Sequence, residues 1–345
     1  MRLPLLLCLT ATIACTASEP LVSSQSSAII NGQACTQGEL PETAALLVDA
    51  TMTFQGEIIS IRTLMCTATL IAPDVVLTAA HCVDPDALTG GFATLTKIQY
   101  YLTFSPDLSA FTQTEPGDMP PLPADAIPLS ATTKHSSFAL EETAAGLGNF
   151  YDIGLGFLER PVTSISPAIV ITPAEASSLS VGDDVQIAGW GRQTAEESER
   201  IGTKHCAHAT IFELGDYEMR IGNEATTSRK CHGDSGGPTY VDVESDSLRK
   251  GRVIGATSRA YDSGDCMSGG IDTSAGAWYE WIDEQMSAGC NAETRAWCDV
   301  EGVIPADYYD DKITAESGGC STSQGSAGSS AGLLFLCLLY WRKRD

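Results

Sequence analysis

The hydrophobic pattern between Ile29 and Ser287 consists of short apolar runs separated by Gly, Pro, Asp and Ser. Examples are residues 44–48, 75–78, 185–188 and 253–256. Runs of this length, bounded by turn residues, predict an all-β sandwich or barrel. Helical spacing is clear only near the end of the region, where Trp278, Ile282 and Met286 recur at every fourth position. This spacing predicts one closing helix.

The first 17 residues have the pattern of a secretory signal peptide. A basic residue precedes an apolar run over residues 3–14, which is too short to span a bilayer. Cleavage is expected after Ala17; cleavage after Ala14 is the alternative, because Cys15 would then begin the chain as in a lipoprotein. Residues 18–28 are polar and unpatterned, so they are interpreted as a propeptide.

Composition limits the partners and the compartment. The chain has 44 acidic and 20 basic residues and a formal net charge of −24, which argues against nucleic-acid binding because a phosphate backbone repels it. Twelve cysteines in a chain that begins like a secretory leader predict disulfides in an oxidising compartment. No metal or organic cofactor is expected, since His205, Cys206 and His208 lack further clustered ligands for zinc. Residues 105–142 are predicted to form a long surface loop. Whether this acidic loop binds calcium is a question that the sequence leaves open.

The most informative string begins at residue 231 and reads Cys-His-Gly-Asp-Ser-Gly-Gly-Pro. Glycines on both sides of Ser235 permit a tight turn that exposes the hydroxyl and aims N–H groups at one point. The same letters satisfy the G-x-S-x-G elbow of α/β-hydrolases, in which the triad histidine follows the serine. That interpretation fails because all five histidines precede Ser235. The general base must therefore come from upstream.

Two upstream residues complete a candidate triad. His81 ends an apolar run and adjoins Cys82, and Cys66 lies sixteen positions before Cys82. A disulfide between these cysteines would fix the loop that carries the histidine. Asp152 enters another short apolar run. The candidate catalytic order along the chain is thus His81, Asp152, Ser235.

Four separated motifs resemble those of trypsin/chymotrypsin-fold serine endopeptidases. They are Ile29-Ile30-Asn31-Gly32, Ala79-Ala80-His81-Cys82, Gly189-Trp190-Gly191 and Gly233-Asp234-Ser235-Gly236-Gly237-Pro238. The resemblance covers residues 29–287. It implies an all-β fold of two six-stranded antiparallel β-barrels with a C-terminal helix, and an active site in the cleft between the barrels.

The resemblance also implies a role for each site residue. His81 would act as the general base for Ser235, and Asp152 would orient and stabilise the histidine. The backbone N–H groups of Gly233 and Ser235 would form the oxyanion hole. Ser258 falls where the family has a serine that hydrogen-bonds the triad aspartate.

A zymogen is implied as well. After removal of the propeptide, the new ammonium group of Ile29 would pair with Asp234 and assemble the oxyanion hole. Relatives activated by trypsin-like enzymes have Arg or Lys before the cut, whereas this chain has Ala28. An activating protease that prefers small residues is therefore an expected partner.

Eight cysteines remain once the two terminal signals are set aside. The resemblance pairs Cys66 with Cys82, Cys231 with Cys266, and Cys35 with Cys206. Cys290 and Cys298 have no counterpart in the family and are expected to close a small loop after the helix. Residues 288–319 are acidic and rich in Tyr and Asp, and are interpreted as a stalk.

Residues 320–345 resemble the myxosortase-type (MYXO-CTERM) sorting signals of some bacterial surface proteins. They contain Cys320, a Ser/Gly-rich spacer, an apolar run over residues 333–341 and a basic end. In that family a sorting peptidase cuts near the cysteine, which becomes the attachment point. The resemblance implies a protein on the bacterial surface or outer membrane, with the membrane reached only through this anchor. A weak tail anchor is the alternative, although nine apolar residues are too few to span a bilayer.

The primary specificity pocket has an unusual composition. In relatives, the residue six positions before the nucleophile lies at the base of this pocket, beside Ser258; here it is Arg229, followed by Lys230. Two buried cations would attract a Glu or Asp side chain of the substrate. Asp272 aligns with the pocket wall and could instead neutralise Arg229, leaving a neutral pocket. Both alternatives stay open.

The sequence thus predicts a secreted, surface-anchored serine endopeptidase that acts on protein or peptide substrates. The non-enzymatic alternative is an inactive homologue of such proteases that serves as a binding or adhesion module. That alternative depends on the unusual pocket alone, because His81, Asp152 and Ser235 are all present.

Overall fold

The first barrel is a closed sheet of six antiparallel strands. It is seen in a computed structural model that describes residues 29–111, 117–191, 202–223, 227–262 and 265–310. A two-residue strand, β1 (Gln33–Ala34), precedes the barrel. The barrel strands are β2 (Thr43–Phe54), β3 (Glu57–Ala72), β4 (Val75–Thr78), β5 (Thr94–Thr103), β6 (Ile127–Lys134) and β7 (Gly154–Leu158). They pair in the order β2-β3-β4-β7-β6-β5 and close on themselves.

The second barrel follows in the chain. Its strands are β8 (Asp184–Gly189), β9 (His205–Leu214), β10 (Glu218–Ile221), β11 (Pro238–Asp242), β12 (Gly251–Asp262) and β13 (Asp265–Ser274). Their order is β9-β10-β13-β12-β11-β8, and pairing of β8 with β9 closes the sheet. Strand β1 also pairs with β9, with Gln33 opposite Cys206 and Ala34 opposite His205. The expected fold of two closed six-stranded antiparallel barrels is therefore confirmed.

The hairpin between β2 and β3 shows how local sequence sets the first barrel. Phe54 pairs with Glu57, so only Gln55 and Gly56 form the loop. Both have positive φ, 50° and 88°, as a type I′ turn requires, and this turn matches the right-handed twist of the strands it joins. The register set there continues to the Leu47–Leu64 pair, and an irregularity between Leu46 and Leu47 then places Leu46 opposite Cys66; both side chains are buried in the first barrel's apolar cluster.

The described residues include four short or medium helices. They are α1 (Ala80–Val83), α2 (Pro85–Thr89), α3 (Pro173–Ala176) and α4 (Tyr279–Asn291). Helix α4 is the closing helix that the spacing predicts, and it ends five residues beyond Met286. Ile282 and Met286 are fully buried in one apolar cluster with Leu155 of the first barrel and Val253 of the second. The helix therefore packs on a core that both barrels share.

The long surface loop expected over residues 105–142 is interrupted by a barrel strand. Strand β6 pairs with β5 and β7, and Leu129 lies opposite Leu158. Ile127 and Leu129 are buried. The expectation of a surface loop is therefore wrong for residues 127–134, because this strand pairs with both of its neighbours and closes the first barrel.

The stalk expected from residue 288 is wrong for residues 288–310, which pack against the domain. Val303 and Ile304 are buried in the shared apolar cluster, and the Val303 N–H donates to Asp283 Oδ1 at 2.8 Å. A short 3₁₀ turn follows at Ala306–Tyr309. The acidic composition that suggested a stalk belongs to the outer face of a packed segment.

Arg295 fixes this segment to the first barrel. Its Nη2 lies 2.9 Å from Asp74 Oδ1, and both side chains are fully buried. Asp74, in the turn between β3 and β4, also accepts the N–H of Trp297 at 2.8 Å. Arg295 Nη1 donates to the carbonyl of Glu301 at 2.6 Å. The segment over residues 292–310, named here the C-terminal strap, thus joins helix α4 to the opposite barrel.

Four disulfides join the pairs expected from the sequence: Cys35–Cys206, Cys66–Cys82, Cys231–Cys266 and Cys290–Cys298. The expected signal peptide, propeptide and sorting signal, including Cys320, lie outside the described residues. In the part of the chain that is described, no helix is long and apolar enough to cross a membrane.

Candidate active site

Two neighbouring strands of the first barrel bring His81 and Asp152 together. Thr78 at the end of β4 pairs with Gly154 at the start of β7. The chain turns into α1 directly after β4, which places His81 on the first turn of that helix. Asp152 lies just before β7. Antiparallel pairing therefore puts the base and the acid at the same edge of the barrel.

Asp152 holds the imidazole ring and the backbone of the same residue. Its Oδ2 lies 2.8 Å from His81 Nδ1, and its Oδ1 accepts the His81 N–H at 3.0 Å. Ser258 Oγ donates to Oδ2 at 2.6 Å. Asp152 is only 2% exposed, so the carboxylate is fixed by three hydrogen bonds in a place that excludes water.

The coupling between these residues shifts both pKa values. Burial raises the pKa of Asp152, but the charge and hydrogen bond of His81, with the bond from Ser258, outweigh it and lower that pKa. Burial lowers the pKa of His81, and the Asp152 carboxylate outweighs this effect and raises it above 6.5. The pair therefore favours the ionised carboxylate and makes the imidazole a better proton acceptor.

Ser235 lies in the loop before β11, and this loop contacts the first barrel. The Thr67 N–H on β3 donates to the Ser235 carbonyl at 2.8 Å, and Thr67 Oγ1 donates to the Gly233 carbonyl at 3.1 Å. Gly233 and Gly236 have φ of 95° and 74°. A Cβ on Gly236 would collide with Thr78 Oγ1, so this loop requires glycine on both sides of the serine.

The oxyanion residues expected from the sequence present free donors. Across the described residues, neither the Gly233 N–H nor the Ser235 N–H donates a hydrogen bond. His81, Asp152 and Ser235 line one cavity between the barrels. No hydrogen bond joins Ser235 Oγ to His81 within the described chain, and His81 Nε2 lies 3.6 Å from Cys82 Sγ. Catalytic hydrogen bonds commonly tighten only when a substrate is bound.

Asp234 is buried beneath the nucleophile loop. Its Oδ1 accepts the Gly191 N–H at 2.8 Å, and its Oδ2 accepts the Cys231 N–H at 2.9 Å. A Cβ on Gly189 or Gly191 would collide with this carboxyl group, which explains two glycines of the Gly-Trp-Gly motif. Burial raises the pKa of Asp234 to about 7 even though these bonds and Lys230 act in the opposite direction. The site thus holds a carboxylate that lacks sufficient positive charge.

Ile29, the expected partner of Asp234, is fully buried in the shared apolar cluster. The next residue, Ile30, donates its N–H to the Arg229 carbonyl at 2.9 Å. The amino-terminal segment therefore runs beside the strand that leads into the nucleophile loop. In the intact chain the nitrogen of Ile29 is an uncharged amide.

The two cations of the candidate pocket have separate partners. Lys230 Nζ lies 2.8 Å from Asp272 Oδ2, whereas the Arg229 guanidinium contacts the carbonyls of Thr227 and Cys266 and the sulfur of Met267. Neutralisation of Arg229 by Asp272 was one of the two alternatives open from the sequence; in the structure Asp272 pairs with Lys230. Consecutive residues of an extended chain point to opposite sides, so the two cations diverge.

An ion pair that the sequence analysis did not identify lies at the edge of the cavity. Arg259 contacts Glu218 through two bonds, Nη1 to Oε1 at 2.7 Å and Nη2 to Oε2 at 2.8 Å. The same guanidinium donates to the carbonyls of Ala144 and Gly146. It thereby holds the loop over residues 139–150 against β12. The only sequence signal was an arginine directly after Ser258.

Metal-binding chemistry is limited by the disulfides. The two close Cys–His groups in the described ranges are Cys66, His81 and Cys82, and Cys231, His232 and Cys266. All four cysteines are oxidised, so neither group offers a thiolate. In the zinc candidate rejected above, Cys206 is bonded to Cys35.

Fold and site together define a class of protein. Two antiparallel barrels that place a histidine, a buried aspartate and a glycine-flanked serine around one cavity have the architecture of chymotrypsin-fold serine proteases. The sequence profile described as Trypsin matches residues 29–103 and 126–282. Because this match extends over more than half of the chain, the chain belongs to the trypsin family.

Individual relatives are distant. Kallikrein-8 from Mus musculus is 25% identical over 279 residues, which cover 77% of this chain and 89% of the kallikrein. Phenoloxidase-activating factor 3 from Holotrichia diomphalia is 26% identical over 230 residues, covering 61% and 59%. Among solved structures, neuropsin, a serine protease expressed in the limbic system of mouse brain, has a TM-score of 0.51 at 23% identity. It covers 75% of this chain and 100% of its own.

Proposed function

We propose that the chain is a serine endopeptidase that hydrolyses peptide bonds through an acyl-enzyme. The main support is the 2.8 Å pair between His81 and a buried Asp152, because it creates a strong base beside Ser235 in the cavity between the barrels. Family membership supports the same conclusion. Protein or peptide chains are the proposed substrates.

The proposed mechanism uses the residues of this site alone. Ser235 Oγ attacks the scissile carbonyl while His81 accepts the hydroxyl proton, and Asp152 stabilises the imidazolium that forms. The N–H groups of Gly233 and Ser235 donate to the oxyanion. Collapse of the intermediate breaks the C–N bond, and His81 returns the proton to the leaving amine. A water molecule then attacks the acyl-enzyme carbonyl while His81 again accepts a proton, and breakage of the ester bond releases the acid product and regenerates Ser235.

The direct test is covalent labelling with a fluorophosphonate, combined with cleavage of a peptide library by protein that begins at Ile29. We expect labelling and cleavage by the wild type and neither in Ser235→Ala, which removes the nucleophile. A folded wild type with a free Ile29 amine that does neither would contradict the proposal. The inactive binding homologue would then be the better description.

Activation by cleavage after Ala28 is part of the proposal. The carboxylate of Asp234 is fully buried and its pKa is raised to about 7, so an ammonium group generated at Ile29 would supply the missing charge. An activating protease with a preference for small residues would make this cut. Sequencing of the mature amino terminus tests it, since a start other than Ile29 would contradict the proposed site.

The raised pKa of Asp234 also predicts a pH-dependent difference between the precursor and the cleaved form. In the precursor the folded state keeps the proton up to about pH 7, whereas the unfolded chain loses it near pH 3.8. The contribution of this group to stability is therefore present below pH 3.8 and is lost as the pH rises towards 7. Pairing with an ammonium group should remove this loss.

Urea unfolding of both forms at pH 4.5 and pH 7, in the Ser235→Ala background to prevent autolysis, measures the effect. The difference in free energy of unfolding between the cleaved form and the precursor should increase with pH. Parallel profiles for the two forms would show that Asp234 does not gain the charge of Ile29.

We further propose that the protein is secreted, which four disulfides support because such bonds persist in oxidising compartments. Surface attachment through Cys320 by a sorting peptidase stays a prediction from the sequence. Mass spectrometry of the mature carboxyl terminus would test it, since an end beyond residue 320 contradicts the cut.

A further inference from the structure

The cavity beside Ser235 has a lysine in its wall whose charge is already used. Lys230 and Asp272 form a 2.8 Å ion pair, and both side chains are fully buried. The ammonium group also donates to the Gly237 carbonyl at 3.1 Å and to Thr239 Oγ1 at 2.8 Å. An ammonium group has three donors, so all three are occupied inside the protein. Lys230 therefore has no donor left for a ligand in the cavity.

The other nearby cations are also occupied. Arg229 is 1% exposed, does not line the cavity, and directs its guanidinium at main-chain carbonyls. Arg259 does line the cavity, but Glu218 contacts it through two hydrogen bonds. A charge that is matched in this way has little attraction left for an opposite charge on a substrate.

Apart from the triad residues and the exposed His232, the remaining wall of the cavity contains no ionisable side chain. It contains the Cys231–Cys266 disulfide and the side chain of Ala260. Besides Ser235 it has three hydroxyl groups, which donate elsewhere: Thr143 Oγ1 to the Leu140 carbonyl, Thr257 Oγ1 to the Gly237 carbonyl and Ser258 Oγ to Asp152. A charged side chain that entered this space would lose its hydration without gaining a buried partner, which disfavours its binding.

We propose that this cavity binds an uncharged, apolar side chain of the residue whose carbonyl Ser235 attacks, and that the Lys230–Asp272 pair sets this preference by cancelling the lysine charge. The inference rests on the proposed peptidase function and names its substrate class. It favours the neutral-pocket alternative over acidic substrates. The lysine acts through its partner, so it is a specificity-determining residue and not a catalytic one.

The first experiment measures kcat/KM of the full-length protein, cleaved before Ile29, on matched peptides that differ only in the residue before the scissile bond. Valine, leucine and alanine should each exceed glutamate and arginine by about 100-fold, because the charged side chains must desolvate without a partner. Cleavage after glutamate within tenfold of valine would overturn the inference and assign recognition to Arg229 or Lys230. Cleavage after arginine within tenfold of valine would overturn it as well.

Asp272→Asn tests the ion pair itself. Asparagine keeps an oxygen for Thr239 but leaves the Lys230 ammonium unpaired, so a substrate carboxylate can replace the lost one. The ratio of glutamate to valine cleavage should rise at least about tenfold. An unchanged ratio in a folded variant would show that the pair does not set the preference.

The matched control is the double variant Lys230→Met and Asp272→Asn, which removes both charges. It should keep the wild-type ratio within about threefold, because the wild-type pair already presents no net charge. The double variant also keeps the inference testable if Asp272→Asn does not fold. A tenfold change in the ratio of glutamate to valine cleavage by the double variant would overturn the proposal. Fluorophosphonate labelling distinguishes failure of this inference from failure of the peptidase function. A labelled enzyme that cleaves after glutamate within tenfold of valine contradicts only this inference, whereas a folded protein that is not labelled contradicts the peptidase function and this inference with it.

Discussion

Replacing Asp152 with asparagine should lower kcat/KM by about 10⁴ while leaving the fold intact. The asparagine fits the same space, but its single oxygen cannot accept at both carboxylate positions, where Oδ1 accepts the His81 backbone N–H and Oδ2 accepts from the His81 ring and Ser258. An oxygen that keeps the backbone N–H turns the amide NH2 group towards the imidazole ring. The imidazole would then be held in the wrong tautomer and lose the negative charge that stabilises its protonated form. Losses of this size are typical when a triad aspartate is neutralised.

The same variant should change the pH profile. His81 must be neutral to accept a proton, and Asp152 raises its pKa, so wild-type activity is lost as the pH falls through a value above 6.5. Without the carboxylate the pKa of His81 drops, and the acid limb of the residual activity should move to lower pH. The measurement is kcat/KM against pH on the best library peptide.

Ser258→Ala is the matched control because it removes one bond to the same carboxylate and leaves the charge. It should cost far less than Asp152→Asn, and its acid limb should stay close to that of the wild type. A loss below tenfold in a folded Asp152→Asn variant would show that this residue is not the triad acid.

Replacing Arg295 with methionine should lower the free energy of unfolding by about 3–5 kcal/mol. The change leaves Asp74 fully buried without its cation, and breaking a buried ion pair on one side has this typical cost. It also removes the donors that fix the C-terminal strap at the Glu301 carbonyl. Urea denaturation with the disulfides intact measures the effect.

Two variants test this explanation. Arg160→Met replaces an exposed arginine and should change the free energy of unfolding by less than about 0.5 kcal/mol. Adding Asp74→Leu to Arg295→Met should restore much of the lost stability, because no buried charge is then left unpaired. A loss below 1 kcal/mol in Arg295→Met alone would show that the strap contributes little to the fold.

The features that sequence could predict are those determined by neighbours in the chain. The turn around Ser235 depends on Gly233 and Gly236, which lie within two positions of it, have φ of 95° and 74°, and leave no room for a side chain. Helix α4 depends on a spacing that is visible within nine residues. Strand length and turn residues are equally local, so the all-β class followed from them.

The features that were missed depend on residues far apart in the sequence. Arg295 lies 221 positions from Asp74, so the acidic composition around it indicated a stalk. In β6 the alternation of apolar and polar residues is weak, and only two side chains are buried. This segment is a strand because it pairs with β5 and β7, which cannot be assigned as its partners from local pattern. The partner of Asp272 depends on which of the two adjacent cations, Arg229 or Lys230, points towards it. Composition cannot specify that direction.

The Cys35–Cys206 disulfide has a consequence for the proposed activation. It bonds the amino-terminal segment to β9 only six residues after Ile29, a span of at most roughly 22 Å even when fully extended. A new amine released by cleavage before Ile29 would thus search a small volume around Asp234, at an effective concentration in the millimolar range typical of short linkers. Docking of that amine would be intramolecular, so the extent of activation after cleavage should not depend on the concentration of the cleaved protein.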